Sequence, residues 1–167
     1  MPSLADGQDA REGSDQLAQE NITDLARIIV SEAGGENETA QAMVGWTVIN
    51  RMKKQQSTRV SEIWAHGNYA HGQMTTGMTL HLAARILDGS AMDISQGATH
   101  FYSPKSMPNE GDRPSSNTDA RGGLESVPGV TKSGRAIRNF RPSWAKNYSV
   151  IRISGIQDKD FKFYNVP

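Results

Sequence analysis

Glu32 is the residue of this chain whose type and position most favour chemistry. It lies in the last turn of a predicted helix over residues 22–33, in which apolar residues recur at helical spacing from Ile22 to Ile29. The negative end of the helix macrodipole disfavours a carboxylate there, and partial burial would raise the pKa of Glu32. A carboxyl group with a raised pKa suits a general acid. The alternative is an ordinary surface glutamate at a helix end.

Residues that typically begin or end helices define the two helices around Glu32. Asn21 is the predicted N-cap of the first helix, with Asp24 at the third helical position, as in a capping box. The glycines at residues 34–35 end this helix, and Asn37 begins a second one over about residues 38–54. The sequence therefore predicts a glutamate held at a helix–turn–helix junction.

The later elements change character near the middle of the chain. The sequence predicts a short helix at residues 60–66, a fourth helix capped by Thr79 and stopped by Gly89, and strands at residues 97–103, 148–154 and 161–166. A Ser-, Pro-, Gly- and Asn-rich loop over residues 104–130 joins the first two strands. The order predicts an α+β fold, with N-terminal helices followed by a small antiparallel sheet.

Length and composition limit the class of protein. The chain has 167 residues, of which 36% are hydrophobic and none is cysteine, so disulfides and zinc–thiolate sites are excluded. Residues 1–20 are polar and acidic and are predicted to be a disordered or flexible segment, with a single domain over residues 21–167. The sequence shows no run long enough for a membrane span and no signal peptide.

Charge is balanced overall but uneven along the chain. Residues 1–40 hold nine acidic and two basic residues, whereas residues 121–167 hold nine basic and three acidic ones. Lys132, Arg135 and Arg138 are spaced three residues apart, with Arg141 next, and in a helix they would form one basic stripe. Such a patch suits an anionic polymer, either nucleic acid or peptidoglycan with its stem-peptide carboxylates. A solvated surface is the simpler interpretation of each single charge.

An ordered series of motifs resembles a known family. The run SEAGGENETAQAMVGWTVINRM, residues 31–52, is similar to the signature of the SleB/CwlJ-type cell wall hydrolases, the spore-cortex-lytic enzyme family: E-A-x-G-E at the end of one helix and N-R-hydrophobic at the end of the next. HGQMTTG (71–77), GATHFYSP (97–104), PSWAKN and FKFYNV resemble later family motifs in the same order. Met74 stands where the family usually has an aromatic residue.

The resemblance implies a lysozyme-like fold and a lytic transglycosylase that cleaves peptidoglycan glycan strands. Glu32 matches the family's catalytic glutamate, which protonates the glycosidic oxygen after N-acetylmuramic acid and then closes a 1,6-anhydro ring. No cofactor or metal is implied, and peptidoglycan rather than nucleic acid is the implied partner. We expect the substrate contacts to come from Glu36, Asn50, Gln73, His100, Tyr102 and Trp144.

Each of these side chains also has an ordinary interpretation. Glu36 would be a charge favoured by the dipole at the start of the second helix, and Asn50 a helix-terminal residue. Gln73 would be a turn residue, while Tyr102 and Trp144 would belong to the core. The four histidines could form a metal site with nearby carboxylates, but no HExxH motif is present.

Three rival functions remain. A lysozyme-type muramidase would use a second carboxylate such as Glu36, a wall-binding module would bind without cleaving, and a metal-dependent amidase would cut the peptide branch. We expect action in the periplasm or cell wall. Without a visible signal peptide, delivery would use a secretion machine, a phage, or an export signal trimmed from the chain. The chain would then be an antibacterial effector or a phage lysis protein, and an effector would need a cognate immunity or inhibitor protein in its own cell.

Overall fold

The computed structural model describes the backbone of residues 4–66, 74–114 and 119–167, and the side chains of residues 11–63, 74–114 and 119–167. Its helices and strands are α1 (Leu4–Ala33), α2 (Glu38–Gln55), α3 (Val60–His66), α4 (Gly77–Leu87), β1 (His100–Tyr102), β2 (Leu124–Lys132), β3 (Arg135–Phe140) and β4 (Lys162–Tyr164). Helices precede strands, so the predicted α+β class is confirmed in this coarse form. The lysozyme-like fold stays a prediction.

The chain divides into two compact units, Met1–Ile94 and Ser95–Pro167. The first unit contains the four helices and the second contains the four strands. The assignment of residues 21–167 to one domain stays a prediction. Among the described residues, no helix combines the length and the apolar character that crossing a membrane requires.

The first helix begins at Leu4, well before the predicted start at residue 22. Residues 4–20, which the sequence assigns to a disordered or flexible segment, therefore lie within α1. The side chains of residues 11–20 are exposed except for the half-buried Leu17. A helix that is polar on nearly all sides has no apolar stripe, which is the pattern that predicts helices from sequence.

Asn21 caps a helix, but not the one that the sequence predicts. Its Oδ1 accepts a hydrogen bond from the backbone N–H of Val60 at 2.9 Å, and its Nδ2 donates to the carbonyl of Thr58 at 2.9 Å. Because α1 continues through residue 21, its own N–H groups there already have helical partners. The Asn21 side chain instead caps the start of α3 and fastens it to α1.

The core of the first unit forms where α1 packs against the other three helices. Its side chains are almost fully buried and come from all four helices: Leu25, Ile28, Ile29, Met43, Val44, Val48, Val60, Ile63, Leu82, Ala83 and Ile86. Gly45 of α2 lies at the closest approach, since a Cβ there would be 2.6 Å from Ile86 Cδ1 and 3.2 Å from Ile29 Cδ1. A Cβ at position 45 would therefore require the Ile86 side chain to move.

One predicted helix cap is confirmed and one is displaced. Asn37 caps α2, since its Oδ1 accepts a hydrogen bond from the backbone N–H of Ala40 at 2.9 Å. The cap of α4 is Thr76, not Thr79 as predicted. Thr79 is the third residue of that helix, where its hydroxyl and that of Thr76 each accept a hydrogen bond from the other's backbone N–H, at 3.0 and 3.1 Å. Thr79 therefore completes a capping box rather than starting the helix.

The second unit contains two separate two-stranded antiparallel sheets, β1–β4 and β2–β3. In the first, His100 lies opposite Tyr164 and Tyr102 lies opposite Lys162. The strand predicted over residues 148–154 is wrong, because only an isolated bridge joins Ile151 to Phe163. Its β-branched residues run into a turn at residues 154–155, which ends any longer pairing.

A hairpin replaces the end of the predicted long loop. β2 and β3 are joined by Ser133 and Gly134, with φ of 53° and 74°, as a two-residue type I′ turn requires. The loop predicted over residues 104–130 is therefore wrong from Leu124 onward. The basic helical stripe is also wrong, because residues three apart on a strand, such as Arg135 and Arg138, lie on opposite faces.

Candidate functional site

Glu32 lies on the apolar stripe of α1, in the last turn of the helix. It follows Leu25 by seven residues and Ile28 by four, so helical geometry places it on the same face as these two fully buried side chains. Glu32 itself is half-buried. The buried face of α1 therefore reaches solvent at its C-terminal end through a carboxylate, where the helix dipole opposes negative charge.

The turn after Glu32 is sterically tight at one glycine. The backbone N–H of Gly34 donates to the carbonyl of Val30 at 2.9 Å, and a Cβ on Gly34 would lie 2.5 Å from that same oxygen. Gly35 has open space, with nothing within 4 Å of a Cβ. The N–H of Glu36 then donates to the carbonyl of Ala33 at 3.0 Å. Only a residue without Cβ fits at position 34 while these hydrogen bonds are kept.

Gln41 fastens this turn to α2, a role that the sequence analysis missed. Its Nε2 donates to the carbonyls of Ala33 and Glu36 at 3.2 and 3.4 Å. Both are backbone acceptors near the end of α1, where carbonyl groups lose their helical partners. Gln41 lies one turn beyond the N-cap Asn37, and a long amide at that spacing is the signal that could have identified it.

Two other predicted site residues belong to the same unit. Glu36 is half-buried in the turn itself. Asn50 follows Trp46 by four residues and Met43 by seven on α2, so it shares a face with two buried side chains, yet it is half-buried. The structure thus brings Glu32 and Glu36 into one turn and places Asn50 on the interior face of the next helix.

Gln73 lies outside the described residues, as do the side chains of His66 and His71. Of the predicted GQ loop, the structure describes only residues 74–77, in which Met74 is 88% exposed. His81 is exposed on α4. Within the described part of the chain, no three His, Asp or Glu side chains lie close enough together to hold a metal ion.

Three predicted site residues meet in the second unit. The ring of Trp144 lies 5.1 Å from that of His100 and 5.9 Å from that of Tyr102, measured between centroids. Tyr164, which the sequence analysis did not single out, stacks on Tyr102 at 6.1 Å and 11° and meets Trp144 edge-on at 5.3 Å. We call these four residues the aromatic cluster. Its tyrosines are buried, while Trp144 and His100 are half-buried and form its accessible side.

The hydroxyl of Thr99 orients His100. Its Oγ1 donates to the carbonyl of Val166 at 3.2 Å and accepts from the N–H of Val166 at 2.9 Å. The Nδ1 of His100 lies 3.0 Å from the same oxygen. A hydroxyl has one hydrogen, so if Thr99 gives it to the carbonyl of Val166, the Nδ1 of His100 is the donor to Thr99 Oγ1.

A largely buried carboxylate, that of Glu125, holds Tyr102 from its hydroxyl end. Glu125 Oε1 accepts from the Tyr102 hydroxyl at 2.7 Å, and Oε2 accepts from Lys162 Nζ at 2.8 Å. The side chains of Lys162 and Glu125 are only 16% and 11% exposed. Burial, together with the adjacent Glu125 carboxylate, raises the pKa of Tyr102 well above its usual value, so its phenol is neutral and donates. Glu125 lies in the segment that was predicted to be a loop, and no sequence pattern there indicated a role for it.

A second carboxylate, that of Asp119, links the segment before β2 to the residue before Trp144. Asp119 Oδ2 accepts from the Ser143 hydroxyl at 2.6 Å, and Oδ1 accepts from the Ser143 N–H at 3.0 Å. Burial acts to raise the pKa of Asp119, but the hydrogen bonds from Ser143 and from the N–H of Arg121 outweigh it and lower the pKa. Asp119 therefore acts as a charged acceptor that holds the loop before Trp144.

Comparison with protein-family models, with curated proteins and with solved structures found no match for this chain. The resemblance to the cell wall hydrolases therefore depends on the sequence motifs alone. The first unit contains a half-buried glutamate, Glu32, and the second unit contains the aromatic cluster.

Proposed function

We propose that this chain cleaves the glycan strands of peptidoglycan as a lytic transglycosylase, with Glu32 as its catalytic acid and base. The observation that carries the proposal is the half-buried carboxylate on the apolar stripe of α1, at the end where the helix dipole disfavours it. The dipole alone does not favour a carboxylate here, and a proton-donating role would explain why one is present. The motif similarity around Glu32 supports the same role.

The chemistry requires one carboxyl group that acts twice. Neutral Glu32 donates its proton to the glycosidic oxygen that follows N-acetylmuramic acid, and the bond from C1 to this oxygen breaks. The carboxylate of Glu32 then removes the proton of the C6 hydroxyl on the same sugar, whose oxygen bonds to C1. The products are a 1,6-anhydromuramyl end and a free hydroxyl on the neighbouring sugar. No water is consumed, and Glu32 regains its proton.

The aromatic cluster supports a role for the second unit in sugar binding. The half-buried rings of Trp144 and His100 offer apolar faces beside polar nitrogen atoms, a combination that suits the faces and hydroxyl groups of sugar rings. Tyr102 is buried and held by Glu125, so we propose that it supports these two rings. Asn50, Glu36 and Gln73 remain our proposed contacts in the first unit.

Among rival reactions, a muramidase needs a second carboxylate at a set separation from the acid. Glu36 is the candidate in the first unit, since it is half-buried in the same turn as Glu32. Glu125 is less suited in the second, because both of its oxygens are engaged by Tyr102 and Lys162. We favour the reaction that uses one carboxyl group because the motif similarity assigns the catalytic role to Glu32 alone.

The proposal includes a place of action and a partner. The substrate would be reached in the periplasm or cell wall, through a secretion machine, a phage or an export signal. If the chain is an antibacterial effector, the cell that makes it would hold a cognate immunity protein. The proposed reaction uses no cofactor.

Mass spectrometry of muropeptides tests the proposed reaction. Purified sacculi are digested with the protein, with and without EDTA. We expect 1,6-anhydromuramyl ends in both digests. Reducing muramic ends would favour the muramidase, and free amino groups lost on chelation and restored by zinc would favour the amidase. Binding without any released product would favour a wall-binding module.

A further inference from the structure

The tip of the β2–β3 hairpin presents two cations directly opposite each other. Lys132 and Arg135 are cross-strand partners on either side of the Ser133–Gly134 turn. Cross-strand partners share one face of the hairpin, with Cβ atoms about 5 Å apart. Like charges in this position repel each other and destabilise the hairpin.

Within the part of the chain that the structure describes, no carboxylate pairs with either cation to relieve this repulsion. Residues 126–141 contain no Asp or Glu. Among the described residues, the ammonium of Lys132 and the guanidinium of Arg135 have no ion-pair partner, and residues 131–136 are all exposed. Arg138 differs from these two, because it lies on the other face and its Nη1 donates to Glu110 Oε1 at 3.3 Å. Lys132 and Arg135 are therefore the two cations at the hairpin tip whose charge no described carboxylate balances.

The shape of the tip indicates the class of anion. Two long cationic side chains whose Cβ atoms are about 5 Å apart on one face can both reach a single carboxylate, and the guanidinium can bind it through two N–H groups. A site for single-stranded nucleic acid would instead need aromatic platforms along a longer basic track. Residues 128–137 contain no aromatic side chain.

We propose that Lys132 and Arg135 form a docking surface for the carboxylates of peptidoglycan stem peptides. This inference depends on the proposed function, since it names a second contact with the same polymer. A carboxylate that bridges the two cations would relieve their repulsion, so the hairpin tip would be more stable on the wall than in solution. The tip would fasten the second unit to the peptide branches while leaving the glycan to the remaining surface.

Lys132→Glu separates docking from a structural role. The introduced carboxylate lies opposite Arg135, so the pair becomes attractive and the melting temperature should stay equal or rise. Binding to sacculi should weaken about fivefold to tenfold, since two exposed charge contacts are lost or reversed. Arg113→Glu, an exposed residue of the same unit outside the hairpin, makes the same change in net charge and should leave binding within about twofold.

The measurement is cosedimentation with teichoic-acid-free sacculi, using the full chain with Glu32→Gln so that the wall stays intact. Glycan strands stripped of their stem peptides should bind Lys132→Glu and its parent equally. Equal affinity of both proteins for intact sacculi would overturn the proposal, as would an equal loss in Arg113→Glu. An equal loss of binding to stripped strands or to duplex DNA would also overturn it, because the pair would then recognise any polyanion.

Failure of this inference can be distinguished from failure of the proposed function. If the protein with Glu32 releases anhydromuropeptides while Lys132→Glu binds sacculi normally, only the docking surface is wrong. If Lys132→Glu loses binding while the unsubstituted protein, which keeps Glu32, releases no product, the enzymatic proposal fails. The chain then binds the wall without cleaving it.

Discussion

Tyr102 and Glu125 are joined by a 2.7 Å hydrogen bond between β1 and β2, and Lys162 of β4 completes the contact from the other oxygen. The bond connects the two separate sheets of the second unit, which share no backbone ladder. Because Tyr102 also stacks on Tyr164, the same contact fixes one ring of the aromatic cluster. The hydrogen bond to Glu125 and the ring stacking in the aromatic cluster therefore both depend on the position of the Tyr102 side chain.

Removing the Tyr102 hydroxyl should destabilise the protein. Tyr102→Phe leaves Glu125 Oε1 without this donor in a buried position, which should lower the free energy of unfolding by about 1–3 kcal/mol. Chemical denaturation measures the change. Tyr148→Phe is the matched control, since Tyr148 is 38% exposed, and its effect should stay within about 0.5 kcal/mol. Equal effects of the two substitutions would contradict the role of the buried hydrogen bond.

Alkaline pH should act through the same residue. Burial and the Glu125 carboxylate raise the pKa of Tyr102, whereas the unfolded chain ionises its tyrosines near pH 10. Proton loss then favours the unfolded state, so stability should fall as the pH rises above about 10. Unfolding measured between pH 8 and pH 11 should show a shallower fall for Tyr102→Phe. Parallel curves for the two proteins would show that Tyr102 does not cause the effect.

Asp119 should contribute to stability in the opposite pH range. Its pKa is lowered in the folded state, so its contribution is complete above the unfolded value of about 4 and is lost as the pH falls through the folded value. Asp119→Asn should lower stability at pH 7 and flatten the loss of stability below about pH 4. Ser143→Ala, which removes one donor, should move the acid transition to higher pH. An unchanged transition in both variants would contradict this assignment.

The turn after Glu32 gives a steric prediction with a built-in control. Gly34→Ala places a Cβ 2.5 Å from the Val30 carbonyl oxygen, so the end of α1 must shift. We expect a loss of about 1–3 kcal/mol in stability and lower activity, because the turn positions Glu32. Gly35→Ala meets nothing within 4 Å and should be nearly neutral. Thermal unfolding and wall turbidity assays compare the two, and a greater loss in Gly35→Ala would contradict the geometry.

Elements with an apolar period were predicted well, and elements fixed by distant contacts were not. The pattern around Asn37 predicted α2 and its cap, because those contacts are local. Asn21 has the right chemistry for a cap, but its partner Val60 lies 39 residues away, so the sequence assigned it to the wrong helix. The hairpin was missed because its Ser133–Gly134 turn lies between strands that are mostly exposed and therefore lack clear alternation.

In the candidate site, too, side chains with a local sequence signal were predicted and those fixed by distant contacts were not. His100, Tyr102 and Trp144 were predicted as site residues from their types and motifs, and the structure brings them together. Glu125, which holds Tyr102, lies in a segment without a chemical signature, and its importance arises only from packing between sheets. Local sequence identified groups that could do chemistry, whereas the groups that orient them required the fold.

The most direct test of the central claim is the muropeptide profile of sacculi digested with the parent protein, Glu32→Gln and Glu36→Gln. Glu32→Gln keeps the shape of the side chain but removes the transferable proton, so release of 1,6-anhydromuropeptides should fall by a factor on the order of 10² or more with an unchanged melting temperature. Glu36→Gln should retain most of the activity. Near-parental release by folded Glu32→Gln would contradict the account, and reducing muramic ends that disappear in both variants would indicate a two-carboxylate muramidase instead.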